Sequence, residues 1–339
     1  MSNRNQINVD LHNHTIGSDG KQSPFRLMLR AKAHNIDKIS ITDHSSIKGY
    51  KIFEKQMEYF TDLSIKNCNS VAAKRIVKIL DEVSILSGVE VITSYKGVII
   101  EILGYDINVD SLERQLEDRK KTLKTTKEVL YEGLNNVIKK NGLKFDTNVL
   151  ENVNALVGPF YEELMSHAEN EKLLNEPTSA DTLKKFIYNH LYNPDSLFFV
   201  DMSETRPTMD ETIEMIHNAG GKAFLAHPGR YKKLNMQKEL DGMILHGLDG
   251  IEVYYPDHDS DFKNFLIQKT EEYGIEISGG SDDHANKREG EQYKIGNITI
   301  EENDKTKWVS GTSNFVATSI NIQKNKDKLN EMLENEEER

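Results

Sequence analysis

Cysteine is nearly absent from this chain of 339 residues, which contains only Cys68. A single cysteine excludes an intramolecular disulfide and fits a reducing compartment. The G-x-S-x-G segment of a serine nucleophile is missing too, and no histidine lies near Cys68 in the sequence. Catalysis through a serine or cysteine nucleophile is therefore not expected.

Long apolar runs and long basic blocks are also missing. The first ten residues, MSNRNQINVD, have no apolar signal core, and no run is long enough to span a membrane. The formal net charge is -12, and the lack of a basic block argues against tight binding of a long nucleic acid. We therefore expect a folded cytoplasmic protein with no membrane partner and no long nucleic acid as its partner.

The segment VDLHNHTIGSDG, residues 9–20, carries the first candidate metal ligands. Apolar and polar residues alternate before it, as in a half-buried strand, so His12 and His14 project from the same face. Two glycines bracket a turn that brings Asp19 back towards them. Two imidazoles and a carboxylate suit zinc, manganese or iron. The alternative is a pair of surface histidines in a loop.

Four further apolar segments each present histidine or acidic residues, which makes that alternative weak. These residues are Asp43 and His44, Glu90, His227, and Asp282 with His284. A strand followed by such a residue and a loop is typical of a barrel whose site lies at the carboxyl ends of its strands. Five of the 11 histidines lie at predicted strand ends, among carboxylates. Histidines that were merely buried in a core would not be arranged in this way. The pattern predicts a metal site.

The order HxH, Asp, DH, GxE, AHP, GSDxH resembles the PHP family of metal-dependent phosphoesterases. The resemblance runs from Val9 to about Gly296 and is closest to the branch of small-molecule and nucleotide phosphatases. It implies an α/β fold, a distorted (β/α)7 PHP barrel, and two or three divalent metal ions, namely manganese, iron or zinc. The ligands that it implies are His12, His14, Asp19, His44, Glu90, His227, Asp282 and His284.

The chain departs from the family pattern in two places. Glu101 stands before the LGY segment, where the family commonly has a histidine. We include Glu101 among the predicted ligands, because a carboxylate binds hard cations and would shift the preference towards manganese or magnesium; the alternative is that it faces away. The segment LVGPFYEELM, residues 156–165, replaces the Arg-Pro-His segment by which the nucleotide phosphatases hold substrate. Substrate specificity therefore does not carry over.

Three residues are predicted to be catalytic beside the metals: Arg230, His258 and Asp43. Arg230 lies three residues after His227 and could bind a phosphate oxygen through two donors. His258 could protonate a leaving oxygen, because its unshifted pKa lies near neutrality. The alternative for both is an exposed loop residue. Glu252, within a predicted strand, could orient a ligand.

The domain pattern is a barrel interrupted by a helical segment. Residues 1–106 and 206–300 are assigned to the barrel, residues 107–205 to a helical insertion covering the site, and residues 301–339 to a C-terminal extension. A helix is expected at 23–35, a longer helical stretch with a break over 46–87, and strands at 88–94 and 97–103. The charged extension is most simply a solvated end, and binding of a protein partner is the alternative.

The predicted function is hydrolysis of a phosphate ester in a small phosphorylated metabolite or nucleotide by metal-activated hydroxide. Two alternatives remain open. The same site could act as an exonuclease or phosphodiesterase on short nucleic acid ends, or the chain could be a non-catalytic PHP module in a complex. The nearly complete set of ligands argues against the module.

Overall fold

Seven strands form one sheet in the computed structural model, which describes residues 8–66, 83–151, 153–174, 182–286 and 290–298. The strands are β1 (Val9–Asp10), β2 (Lys38–Ile41), β3 (Ser84–Tyr95), β4 (Val98–Tyr105), β5 (Lys222–Leu225), β6 (Gly250–Tyr254) and β7 (Glu276–Gly279). They are neighbours in chain order. The backbone N–H of Leu11 donates to the carbonyl of Gly279 at 3.0 Å, which joins the first and last strands.

Strand direction explains why the barrel is distorted. Strands β1, β2 and β3 pair in parallel, as do β5, β6 and β7, whereas β4 pairs antiparallel with β5. Lys96 and Gly97, both at positive φ, turn the chain from β3 into β4. The parallel strands place their carboxyl ends at one edge, as in other α/β barrels. The predicted α/β barrel is therefore confirmed.

Helices follow most strands. They are α1 (Pro24–Ala33), α2 (Lys48–Lys66), α3 (Val109–Thr122), α4 (Thr126–Asn141), α5 (Val157–Met165), α6 (Ala168–Glu171), α7 (Leu183–Phe186), α8 (Met209–Asn218), α9 (Met236–Leu245) and α10 (Ser260–Tyr273). Helix α1 begins where the sequence predicts, because the Ser23 hydroxyl accepts from the N–H of Arg26 and Pro24 needs no partner for its nitrogen.

The predicted helical stretch over 46–87 is wrong at its end. Strand β3 already begins at Ser84, and the break expected at residues 67–70 lies outside the described residues. Ile85 and Leu86 are buried and continue into the buried run of Val89 and Val91. A short apolar run can be a strand or a buried helix turn by periodicity alone, and pairing with β2 favours the strand.

The chain forms two compact units. The first comprises the described residues within 1–92, 101–116 and 210–339, and the second those within 93–100 and 117–209. Inside the first unit, Leu11, Tyr105 and Phe224 fill the barrel, with the rings of Tyr105 and Phe224 edge to face at 5.1 Å. These apolar layers leave the carboxyl edge of the strands for polar side chains.

The second unit has a separate apolar core. Its buried residues include Phe160, Leu164, Phe186 and Phe198. The segment predicted to replace Arg-Pro-His forms helix α5, and the apolar face of this helix packs in the core. The described residues between 107 and 205 contain no strand. Whether this segment covers the site stays a prediction. No described helix has the length and apolar character needed to cross a membrane.

Candidate metal centre

All nine predicted metal ligands lie close together at the carboxyl edge of the barrel. His12 and His14 follow β1, His44 follows β2, Glu90 and Glu101 lie within β3 and β4, His227 follows β5, and Asp282 and His284 follow β7. Asp19 lies on the loop after His14 and is 56 % exposed. Five histidines and four carboxylates from six strands thus converge on one site.

Glu90 lies at the centre of the cluster and is fully buried. Its Oε1 is 2.9 Å from His227 Nε2 and 3.3 Å from His12 Nε2. Its Oε2 is 3.0 Å from His44 Nδ1 and 3.3 Å from His14 Nε2. Burial would raise the pKa of this carboxyl, but the positive charge of His12 and the close contacts with the other histidines hold it well below its usual range.

Asp282 follows β7, the last strand, and its carboxylate lies in the cluster. Its Oδ1 is 3.0 Å from His14 Nε2 and 3.5 Å from His12 Nε2. Its backbone has a φ of 59°, a left-handed conformation that costs energy in a residue other than glycine. Burial opposes ionisation, yet the charge of His12 and the contact with His14 lower the pKa of Asp282.

Buried Glu252 on β6 orients two parts of the cluster. Its Oε1 is 2.9 Å from His12 Nδ1, and its Oε2 accepts the backbone N–H of His227 at 2.8 Å. The first contact leaves His12 Nε2 facing the cluster, as expected for a histidine that binds a metal. The second holds His227 at a φ of 25°. The sequence predicted an orienting role for Glu252, and these contacts match it.

Asp19 and His284 form the outer part of the cluster. His284 Nδ1 is 2.8 Å from the carbonyl oxygen of Asp282, so its Nε2 faces Asp19 at 3.4 Å. Asp19 is also 3.8 Å from both His14 and His44. One group of potential donors, within 4.8 Å of one another, consists of His14, Asp19, His44 and His284.

Glu101 faces the cluster rather than away from it. Its carboxylate oxygens lie 3.7 Å from His44 Nδ1 and 3.3 Å from His227 Nε2. The backbone N–H of Glu101 donates to the hydroxyl of Tyr231 at 2.8 Å, which fixes this part of β4. Burial and the nearby charge of Glu90 raise the pKa of Glu101, as expected for carboxylates crowded without a cation.

The donor set fits divalent metal ions. Among the described residues, His12 Nε2, His14 Nε2, His44 Nδ1 and Glu90 Oε2 are buried without a hydrogen-bonding partner. Such atoms are costly to bury unless something binds them. Three overlapping donor groups occur: the outer group above, His12 with His14, Glu90 and Asp282, and His44 with Glu90 and Glu101. Mixed imidazole and carboxylate donors suit manganese, iron and zinc.

The carboxylate of Asp43 is held by hydrogen bonds from the loop after His14, and its predicted catalytic role stays a prediction. Its Oδ1 accepts the N–H of Thr15 and the hydroxyl of Ser18, both at 2.7 Å, and its Oδ2 accepts the hydroxyl of Thr15 at 2.7 Å. A Cβ on Gly17 would lie 2.3 Å from Oδ2, so glycine is needed there. Asp43 therefore shapes the loop between His14 and Asp19.

His258 is also held by hydrogen bonds to backbone, and its predicted acid role stays a prediction. The ring is buried, and its Nδ1 lies 2.9 Å from the carbonyl oxygen of Val253, to which it must donate. Its Nε2 then accepts the N–H of Gly229 at 3.1 Å. Burial lowers the pKa of His258, which favours this neutral form. Both nitrogens are occupied, so His258 supports the loop that precedes Arg230.

Arg230 lines a cavity of about 550 Å³ together with seven of the cluster residues. Its side chain is half exposed, and its Nη1 donates to Asp282 Oδ2 and to the hydroxyl of Tyr255, both at 3.1 Å. Lys21 and Tyr293 also line the cavity. The sequence reasoning missed Tyr255, whose only signal was its place directly after a strand, beside the predicted acid.

Comparison with known proteins extends over most of the chain. It is 26 % identical over 277 residues to a 5'-3' exoribonuclease of Haemophilus influenzae, covering 81 % of this chain and 89 % of that protein. It is 24 % identical over 289 residues to a 3',5'-nucleoside bisphosphate phosphatase of Chromobacterium violaceum, covering 82 % and 87 %. No family model matches the chain.

A solved structure supports the fold. An amidohydrolase from Chromobacterium violaceum, with bound sulfate and no metal, superposes with a TM-score of 0.53 at 20 % identity, covering 89 % of this chain and 94 % of that one. The barrel, its histidine and carboxylate cluster and these relatives define a phosphoesterase. The chain is an enzyme that hydrolyses phosphate esters.

Proposed function

We propose that this enzyme removes phosphate, or a terminal nucleotide, from the end of a phosphorylated nucleotide or short RNA, with two or three divalent ions bound by the nine clustered residues. The observation that carries the proposal is Glu90. Glu90 is a fully buried carboxylate within 3.3 Å of four imidazole nitrogens, so it places a negative charge where bound cations need one. Burying this charge without bound cations would be costly.

Manganese is the metal that we favour, with iron and zinc as the alternatives. Four carboxylates supply hard oxygen donors beside five imidazoles, and Glu101 is one of these carboxylates. The extra negative charge favours a cation with stronger oxygen preference than zinc. The donor groups overlap at Glu90, His14 and His44, which supports sites close enough to share one phosphate group.

Bound ions would supply Lewis-acid stabilisation of phosphate charge and an activated water. The chain's own contribution begins with Arg230, whose Nη1 is held by Asp282 and Tyr255. Within the described part of the chain, no acceptor occupies its Nε or Nη2. These donors can bind a phosphate oxygen and orient the ester over the cluster. Glu252 keeps His12 and His227 in position throughout.

The cavity supports a small substrate or a chain end. Its volume of about 550 Å³ lies in the range of small-molecule sites. The acidic excess of the chain would repel a long polyanion outside the cavity. The named activities of the relatives, a bisphosphate phosphatase and an exoribonuclease, both act at a terminal phosphate or nucleotide.

A substrate panel with added manganese tests this proposal. Adenosine monophosphate, adenosine 3',5'-bisphosphate and a short 5'-phosphorylated RNA should release phosphate or mononucleotides, and chelation should stop the reaction. Arg230→Ala should raise KM more than it changes metal content. Rapid cutting within circular DNA, with no activity on any monoester, would overturn the substrate class.

Exonuclease action is the second candidate, because the Haemophilus relative is named a 5'-3' exoribonuclease. The comparison of a short RNA with a nucleoside monophosphate at equal concentration separates the two. Preference for the RNA, with successive release of mononucleotides from one end, would favour the exonuclease.

Cellular location and protein partners rest on the sequence alone. The cytoplasm remains a prediction from the single cysteine. A partner for residues 301–339 also remains a prediction, since that extension lies outside the described residues.

A further inference from the structure

Tyr255 forms hydrogen bonds with Arg230, which lines the cavity, and with Asp282 of the metal cluster. It follows β6 directly and is buried, with its ring centroid 5.2 Å from that of His227. Its hydroxyl donates to Asp282 Oδ2 at 2.9 Å and accepts from Arg230 Nη1 at 3.1 Å. Because Arg230 also contacts the same Asp282 oxygen at 3.1 Å, the three polar groups form a closed triangle.

This triangle separates the two oxygens of Asp282. Oδ1 faces His12 and His14, while Oδ2 is occupied by Tyr255 and Arg230. A carboxylate whose outer oxygen receives two donors cannot rotate freely, so its inner oxygen stays directed at the cluster. The hydroxyl therefore acts on Asp282 from the side opposite the histidines.

The triangle also restrains Arg230. Half of this side chain is exposed, and a free arginine would lose rotamer entropy on binding an anion. Two acceptors on Nη1 fix the guanidinium plane before substrate arrives.

We propose that Tyr255 is a positioning residue that holds Arg230 ready for a substrate phosphate and fixes Asp282 towards the cluster. This inference rests on the proposed function only in taking phosphate as the group that Arg230 binds. The sequence reasoning and the comparisons assign no role to this side chain.

Tyr255→Phe tests the inference, because it removes the hydroxyl and keeps the buried ring. We expect phosphate affinity, measured by calorimetry with inorganic phosphate and manganese-loaded protein, to fall about tenfold, the scale of one hydrogen bond to a charged group. KM for a nucleotide monoester should rise by a similar factor while kcat changes little. Tyr254→Phe is the matched control, since Tyr254 is the tyrosine directly before it, at the end of β6.

The two readouts separate this inference from the proposed function. If no nucleotide is hydrolysed, the proposed function fails, but the phosphate titration still compares Tyr255→Phe with Tyr254→Phe. Equal phosphate affinity in the two variants would overturn the positioning role. Loss of metal from Tyr255→Phe with unchanged phosphate affinity would also overturn it, because the hydroxyl would then support Asp282 alone. Weaker phosphate binding with retained metal would establish it.

Discussion

The inner and outer parts of the metal centre differ in how much water they meet. His12, His14, Glu90 and Asp282 form the inner group and are buried. Asp19, at the outer edge, is 56 % exposed, and His44, Glu101 and His284 are each partly exposed. The buried inner donors cannot be hydrated when no cation is bound, whereas the partly exposed outer donors can. We infer that metal bound at the inner group organises the site and that the outer group exchanges metal and meets substrate.

Removing the charge of Glu90 should have the largest effect on this arrangement. Glu90→Gln leaves four imidazoles around a neutral amide, so the inner group and the group of His44, Glu90 and Glu101 lose the carboxylate that they share. Turnover should fall about 10²- to 10³-fold, the cost of losing one preorganised electrostatic group. Elemental analysis should find less metal, and circular dichroism should find the fold retained. Full metal content would show that Glu90 is not the shared ligand.

A smaller effect is expected at Glu101, on the outer side. Glu101→Gln should weaken one metal and lower turnover by about tenfold, because its contacts with His44 and His227 are longer than those of Glu90. Glu101→His is the matched variant and should retain activity while moving metal preference towards zinc or iron. If Glu101→Gln leaves both rate and metal content unchanged, this side chain is not a ligand.

The pH dependence of the metal-free protein should be the smallest effect. Burial lowers the pKa of His14, but its contacts with Asp282 and Glu90 raise it from 6.5 to about 10. A raised pKa contributes stability that is complete below about pH 6.5 and is lost as the pH rises towards about 10. The Tm of metal-free protein should fall across this range.

The metal-loaded protein is the control for that measurement. A bound cation replaces the proton on the inner histidines, so its Tm should change less over the same pH range. Parallel Tm curves for the two forms would contradict the assignment of the inner histidines as metal ligands.

The sequence predicts which residues lie together at the site, because each one lies at a fixed place relative to a strand. His12, His44 and His227 follow apolar runs, and the parallel strands bring those ends to one edge. The roles of Asp43 and His258 are different, because both depend on hydrogen bonds to loop backbone that leave no pattern in the sequence. Chemical type alone suggested catalysis for both.

Tyr255 illustrates the same limit from the other direction. Nothing in VYYPDH distinguishes its two tyrosines, and only the register of β6 and the turn after it direct one hydroxyl towards Asp282. The helix predicted up to residue 87 was wrong for a related reason, since pairing of β3 with β2 decides between helix and strand there. Long-range partners, which periodicity cannot reveal, settled each case.

Metal content of the purified protein tests the central claim most directly. Protein prepared without chelator and supplemented with manganese or iron should contain at least about two transition-metal ions per chain by elemental analysis, because the overlapping donor groups provide for that number. His12→Ala should reduce the count, since it deletes an inner donor. Less than about one ion per chain in the supplemented protein would contradict a shared cluster centred on Glu90.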